Sequence, residues 1–144
     1  MAAGRTLLDK TQRTTEGSGM SFFSKLFGGG GKGPVTLLDP ATAAERLRKQ
    51  EIIMIDVRTE REWRSGTARG AHTITLGDPR MAAMVLGLAE EDTSRPVVVI
   101  CRSGMRSGQA AKQLVAAGFT DVSNVKGGMM AWGAANLPIM PYRG

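Results

Sequence analysis

Pro96-Val97-Val98-Val99-Ile100-Cys101-Arg102-Ser103-Gly104-Met105-Arg106-Ser107 reads as a buried strand running into a polar, glycine-bearing loop. The continuous apolar run after Pro96 suits a strand covered on both faces. From about Arg106 to Ala117 the chain is rich in Ala, Lys, Gln and Leu and is closed by Gly118, which predicts a helix with a glycine stop. Cys101 falls at the turn between the two elements.

Outward from this unit, short apolar runs alternate with helical stretches, the pattern of crossover units and a mostly parallel sheet. Val35–Leu37 predicts a short strand. Asp39-Pro40 supplies an N-cap and a first-turn proline for a helix through about Lys49, with Ala43, Ala44 and Leu47 inward. Ile52–Val57 is a second buried strand, followed by a helix that opens on a Thr59-x-x-Glu62 capping box. A turn-rich stretch from Gly66 to Gly77 holds a brief strand around His72–Thr75. Asp78-Pro79 repeats the cap signal before a helix to about Ala89, whose stripe of Met81, Met84, Val85 and Leu88 reads as packing. Val122–Val125 predicts the last strand, Gly127-Gly128 a turn, and Met129–Ala134 a short helix.

The 144 residues suit one domain, expected over residues 34–144, behind an extension over residues 1–33 that ends in a Gly-rich linker. Within the extension, Phe22, Phe23, Leu26 and Phe27 are spaced to form one apolar face of a short helix. That segment suits an arm packing on its own domain or on a protein partner, or a weak membrane-surface anchor. Met20 offers an alternative start.

No apolar run is long enough to span a bilayer, and the first twenty residues lack the apolar core of a secretory signal. The expected setting is therefore cytoplasmic. The net charge of +6 is shared between the extension and the domain without a clustered basic stripe, which argues against nucleic acid and is compatible with small anionic substrates. One cysteine and one histidine, Cys101 and His72, cannot supply a Cys/His zinc site, so neither metal nor cofactor is expected.

A lone cysteine is either a small buried hydrophobe or a reactive thiol. Ligands of open parallel sheets gather outside the carboxyl ends of the strands, where Cys101 sits. Gly104 permits a loop whose N–H groups converge, and the following helix begins with unpaired donors, so the segment predicts an anion cradle. Such donors, the helix dipole, Arg102 and Arg106 all favour a thiolate over a thiol of ordinary pKa about 8.5. The conjunction selects the reactive reading of Cys101 over a strand-ending hydrophobe.

From Val35 to Pro138 the chain resembles the rhodanese family in several signatures taken in order. Asp56-Val57-Arg58 with Glu62-Trp63, the turn Gly66-Thr67-Ala68-Arg69-Gly70-Ala71, the loop Cys101 to Ser107, and Gly127-Gly128-Met129-Met130-Ala131-Trp132 carry the likeness. Thr67-Ala68 and Thr73-Ile74-Thr75 depart from the family pattern of His-Ile and Asn-Ile-Pro. The resemblance implies an α/β, rhodanese-like three-layer fold, with helices flanking a mostly parallel central sheet.

It further implies thiosulfate sulfurtransferase activity. The Cys101 thiolate takes a sulfane sulfur from thiosulfate or a similar small anionic donor and passes it, as a persulfide, to a thiol or cyanide acceptor. Ser103, Gly104, Met105, Arg106 and Ser107 would stabilise the persulfide through backbone N–H groups, and Arg102 or Arg106 would bind the sulfonate end. Asp56 and Arg58 are expected to orient the loop or brace the strand ends, and Trp63 and Trp132 to pack. Rival readings are a sulfur-relay carrier, a non-catalytic rhodanese-like interaction module, and phosphatase or arsenate-reductase chemistry. The last of these is disfavoured by Cys-x4-Arg spacing, one residue tighter than the Cys-x5-Arg of tyrosine phosphatases.

Overall fold

Two buried strands, β2 (Ile53–Asp56) and β5 (Val97–Ile100), form the centre of the molecule because every residue in them is apolar or internally paired. The computed structural model describes residues 35–144, and the expected extension with its Phe-bearing segment lies outside the described residues. Around β2 and β5 the chain adds β1 (Thr36–Leu38), β6 (Val122–Val125) and β4 (His72–Thr73). The resulting five-stranded sheet has the order β1-β6-β5-β2-β4, and all of its pairings are parallel.

Strand alternation directs side chains to both faces. Ile53, Ile55 and Val57 of the β2 segment, with Val97, Val99 and Cys101 of the β5 segment, pack under α3 (Met81–Leu88) and α4 (Met105–Ala116). Met54, Val98 and Ile100 face α1 (Pro40–Arg48) and α5 (Gly128–Ala134), where Ala43 and Trp132 are buried. Helices therefore cover both faces, giving the α/β three-layer arrangement expected. The remaining elements are α2 (Glu60–Trp63) and a small antiparallel pair, β3 (Thr67–Ala68) with β7 (Ile139–Met140).

The caps explain where several helices begin. Asp39 accepts from the Ala41 N–H at 3.1 Å with Pro40 in the first turn, and Thr59 and Glu62 make a reciprocal capping box. Asp78 behaves differently from its expected role as an N-cap. Its carboxylate accepts from the Arg80 N–H at 2.9 Å and pairs with the Arg80 guanidinium, closing a turn of its own. The α3 helix consequently starts at Met81 with Arg80 at the cap position and no side-chain cap.

The expected apolar stripe of α3 is also only partly internal. Met81 and Val85 are buried and Leu88 packs against the core, but Met84 is 39% exposed on a groove beside the sheet edge. Elsewhere the observed bounds differ by a residue or two from the expected ones. The first strand covers Thr36–Leu38, the strand near His72 stops at Thr73, and α4 begins at Met105. No helix among the described residues is long and apolar enough to cross a membrane.

Candidate active site

Cys101 leaves the carboxyl end of β5 on the same face as Val97 and Val99, and the residue is only 1% exposed. The chain then turns within three residues into α4. Gly104 makes this turn at φ +113, a left-handed conformation that side chains rarely adopt, and directs its N–H back to the Cys101 Sγ at 3.0 Å. Ser107, buried in the first turn of α4, brings its hydroxyl to 3.3 Å from the same sulfur.

Burial pushes the Cys101 thiol up. Hydrogen bonds from the Ser107 hydroxyl and from the N–H groups of Ser107, Gly104 and Ser103 outweigh it and hold the group below its ordinary value. The net effect favours a thiolate in a nearly closed cradle.

Asn124 is a part of this cradle that sequence reading did not single out. In β6 it lies opposite Val99, and its Oδ1 stands 2.5 Å from the Ser107 hydroxyl, whose single proton is shared between Asn124 and the Cys101 Sγ, while its Nδ2 donates to the Gly104 carbonyl at 3.0 Å. One side chain thus ties the loop carbonyl to β6 and fixes the serine beside the sulfur. Gly128, expected from the sequence as part of a turn, also shapes the cradle. A Cβ there would stand 2.4 Å from the Cys101 carbonyl oxygen and 2.6 Å from that of Arg102. The bare glycine lets the first turn of α5 approach, so that Met129 and Met130 donate their N–H groups to these two carbonyls at 2.7 and 3.0 Å.

Asp56 and Arg58 lie at the end of β2 and are both buried. The Asp56 carboxylate accepts from the Arg58 backbone N–H at 3.0 Å and from its guanidinium at 2.8 to 3.1 Å, and the guanidinium also donates to the Gly66 carbonyl at 2.7 Å. Thr75, in the segment that departs from the family pattern, donates its hydroxyl to the Arg58 carbonyl. These contacts tie β2 to the turn before β3 and to the chain leaving β4.

The two arginines of the loop have different surroundings. Arg106 makes a bidentate pair with Glu62, Nη1 to Oε1 at 2.6 Å and Nη2 to Oε2 at 2.8 Å. That pair, helped by Thr59, holds the Glu62 carboxyl down at about 2 and raises Arg106. Arg102 is exposed, and among the described residues it makes no salt bridge. It lines a cleft of about 310 Å³ with Arg58, Glu62, Ser65, Met129 and Met130. Ser103 is also exposed, while Met105 is 80% exposed and Met130 59%, so thioethers stand on the rim of the loop.

Trp132 is buried and donates its indole N–H to the Pro138 carbonyl at 2.9 Å, and Trp63 packs against Tyr142 with ring centroids 5.3 Å apart. His72 lies on β4 and lines a larger groove of about 810 Å³ with Met84, Leu88 and Tyr142. That groove shares no lining residue with the cysteine loop.

A parallel α/β sheet with a cysteine at a strand end, inside a loop whose N–H donors turn toward its sulfur, places this chain in the class of α/β proteins with a cysteine-bearing loop. A model of the rhodanese-like domain family matches residues 39–135, and the chain belongs to that family. It is similar to a sulfurtransferase of Allochromatium vinosum, 34% identical over 111 residues that span 76% of this chain and 99% of the relative. It is also 31% identical to the thiosulfate sulfurtransferase GlpE of Vibrio cholerae, over 71% of this chain and 92% of that protein. Among solved structures, a Rhodopseudomonas palustris protein of unknown function, described as a possible tyrosine phosphatase, aligns with a TM-score of 0.64 at 27% identity. The alignment covers 74% of this chain and 85% of that one. These relatives support membership of a sulfurtransferase family.

Proposed function

We propose that this protein is a thiosulfate sulfurtransferase of the rhodanese type that works through a Cys101 persulfide. The observation that carries the reading is the convergence of the Gly104 N–H and the Ser107 hydroxyl on the Cys101 Sγ, in a site that favours the thiolate. The thiolate attacks the outer sulfur of thiosulfate, a Cys101 S–S bond forms, and the donor's S–S bond breaks with its electron pair leaving on sulfite. The loop N–H groups that held the thiolate then hold the persulfide anion. A thiol or cyanide takes the outer sulfur and returns Cys101 as thiolate. Arg102, on the open side of the loop, is the cation available to the sulfonate end. Asp56 and Arg58 act as a brace that ties the end of β2 to the Gly66 turn. A reducing, cytoplasmic setting keeps the lone thiol available.

The phosphatase reading fits the site less well. The loop from Cys101 to Arg106 is one residue tighter than that of tyrosine phosphatases, and Arg106 is already held by a carboxylate. Intact-protein mass after incubation with thiosulfate tests the proposal against Cys101→Ser. A gain of one sulfur atom that is lost in the variant is expected. Loading only from a protein-borne persulfide would replace the enzyme reading with a sulfur relay, and turnover of a phosphate ester without sulfur loading would overturn it.

A further inference from the structure

The cleft that Arg102 lines, together with the cysteine loop from which Arg102 projects, carries more charged groups than free charge. Arg58 is neutralised by Asp56, and Arg106 by Glu62. Among the described residues Arg102 is the cation of the cleft that makes no salt bridge, and a Cys101 thiolate in the adjoining loop would balance it. An attacking thiolate with one free cation beside it is a poor receptor for a second and a third negative charge. Thiosulfate brings two.

The Glu62 carboxylate is held in place from both sides. Thr59 donates its N–H and its hydroxyl to Oε1 at 3.1 Å each, and Arg106 grips both oxygens. Its position is therefore built by the α2 cap rather than left to a flexible surface side chain. Met129 and the exposed Met130 add an apolar side to the same cleft.

We infer that Glu62 is a specificity-determining residue, which withholds the Arg106 charge from the donor and tunes the site toward persulfides of low charge, R–S–SH, over dianionic donors. The inference rests on the Cys101 persulfide chemistry proposed above and refines its donor, ranking thiosulfate, which the site still accepts through Arg102, below persulfides of low charge. In this reaction the Cys101 thiolate attacks the terminal sulfur of R–S–SH and a new S–S bond forms to Cys101. The donor S–S bond breaks with its electron pair on R–S⁻, and the proton stays with the transferred sulfur or passes to the leaving thiolate. No oxidant or reductant is needed.

Glu62→Gln is the deciding variant. Glutamine at the third helical position still accepts from the Thr59 N–H, so the cap is retained while the charge is lost. In the full chain, Cys101 loading is followed by intact mass with thiosulfate, with the persulfide of 2-mercaptoethanol, and with a persulfide carried on a protein cysteine.

The ratio of the thiosulfate rate constant to that of the small persulfide is expected to rise about tenfold in the variant, the scale of one extra unit charge acting in a half-solvated cleft. Protection of Cys101 against iodoacetamide by sulfate is expected to tighten by about the same factor. Faster loading from the protein-borne persulfide than from the small one would assign the donor to a protein, and the reverse order to a small molecule. A ratio and a sulfate protection unchanged within about twofold would overturn the inference and leave the sulfurtransferase reading intact. Absence of loading from all three donors in the unmodified protein would overturn both.

Discussion

Met129 donates its backbone N–H to the Cys101 carbonyl at 2.7 Å, so the start of α5 holds the head of the cysteine loop from the opposite face of the sheet. The contact exists because Gly128 has φ +59 and no side chain. The Gly-Gly pair is thus a part of the site and not merely a turn before a helix.

Gly128→Ala is expected to destabilise the protein by about 1–2 kcal/mol from its left-handed conformation alone, and further through collision with the Cys101 and Arg102 carbonyls. Gly118→Ala provides the contrast, because Gly118 also has positive φ but nothing within 4 Å of its added Cβ. Urea denaturation and the rate of Cys101 alkylation measure the two effects. Both variants should lose stability, and Gly128→Ala alone should change the alkylation rate.

Removing the Ser107 hydroxyl should move the alkylation midpoint of Cys101 upward in pH. The folded-state thiol lies below its ordinary value because hydrogen bonds from Ser107, Gly104 and Ser103 overcome its burial, and Ser107→Ala deletes the largest of the lowering contributions. The sign for stability follows. A depressed folded-state pKa stabilises the protein above the ordinary thiol range, and that contribution disappears as pH falls through the folded value. The pH–rate profile of iodoacetamide modification reads the shift directly, and an unchanged midpoint would mean that Ser107 bonds only to Asn124.

Asp56→Ala should be among the costliest single changes at the site, by about 3–5 kcal/mol, because it strands the Arg58 guanidinium inside the protein. Arg58 would retain the Gly66 carbonyl but lose the carboxylate that accepts from its Nε, Nη2 and backbone N–H. Chemical denaturation of the variant gives the loss. A drop of under about 1 kcal/mol would show that water reaches Arg58 when its partner is removed.

The unit most legible in the sequence was the one with the strongest local signals. Val97–Ile100 is apolar without a break, Gly104 marks the turn, and α4 is long and well closed, so the position of Cys101 could be read directly. Asn124 and Glu62 were not legible as parts of one site with Cys101. They reach the loop from β6 and α2, through register and capping contacts that no single segment encodes. The pair β3 and β7 was missed for a similar reason, since two-residue strands carry no period and are specified only by their partner. Asp78-Pro79 misled because an aspartate before a helix can cap it or close its own turn, and the neighbouring Arg80 settles the choice. Met84 misled because helical spacing gives the direction of a side chain but not the width of the surface that covers it.

The Glu62–Arg106 pair gives the last prediction a defined pH window. Glu62 has its ordinary value near 4.5 in the unfolded chain and about 2 in the folded protein, chiefly because Arg106 donates two hydrogen bonds to it. A carboxylate lowered by folding contributes stability that is complete above pH 4.5 and is lost as pH falls toward 2. The stability of the unmodified protein should therefore fall more steeply across that interval than that of Glu62→Gln, which has no proton to gain. Both partners are partly open to water, at 28% and 36% side-chain exposure, so the difference between the two curves should amount to only about 1 kcal/mol. Urea midpoints measured at several pH values between 5 and 2 give the two slopes. Parallel curves would show that the clamp between α2 and α4 adds no net stability, and would restrict Glu62 to the electrostatics of the cleft.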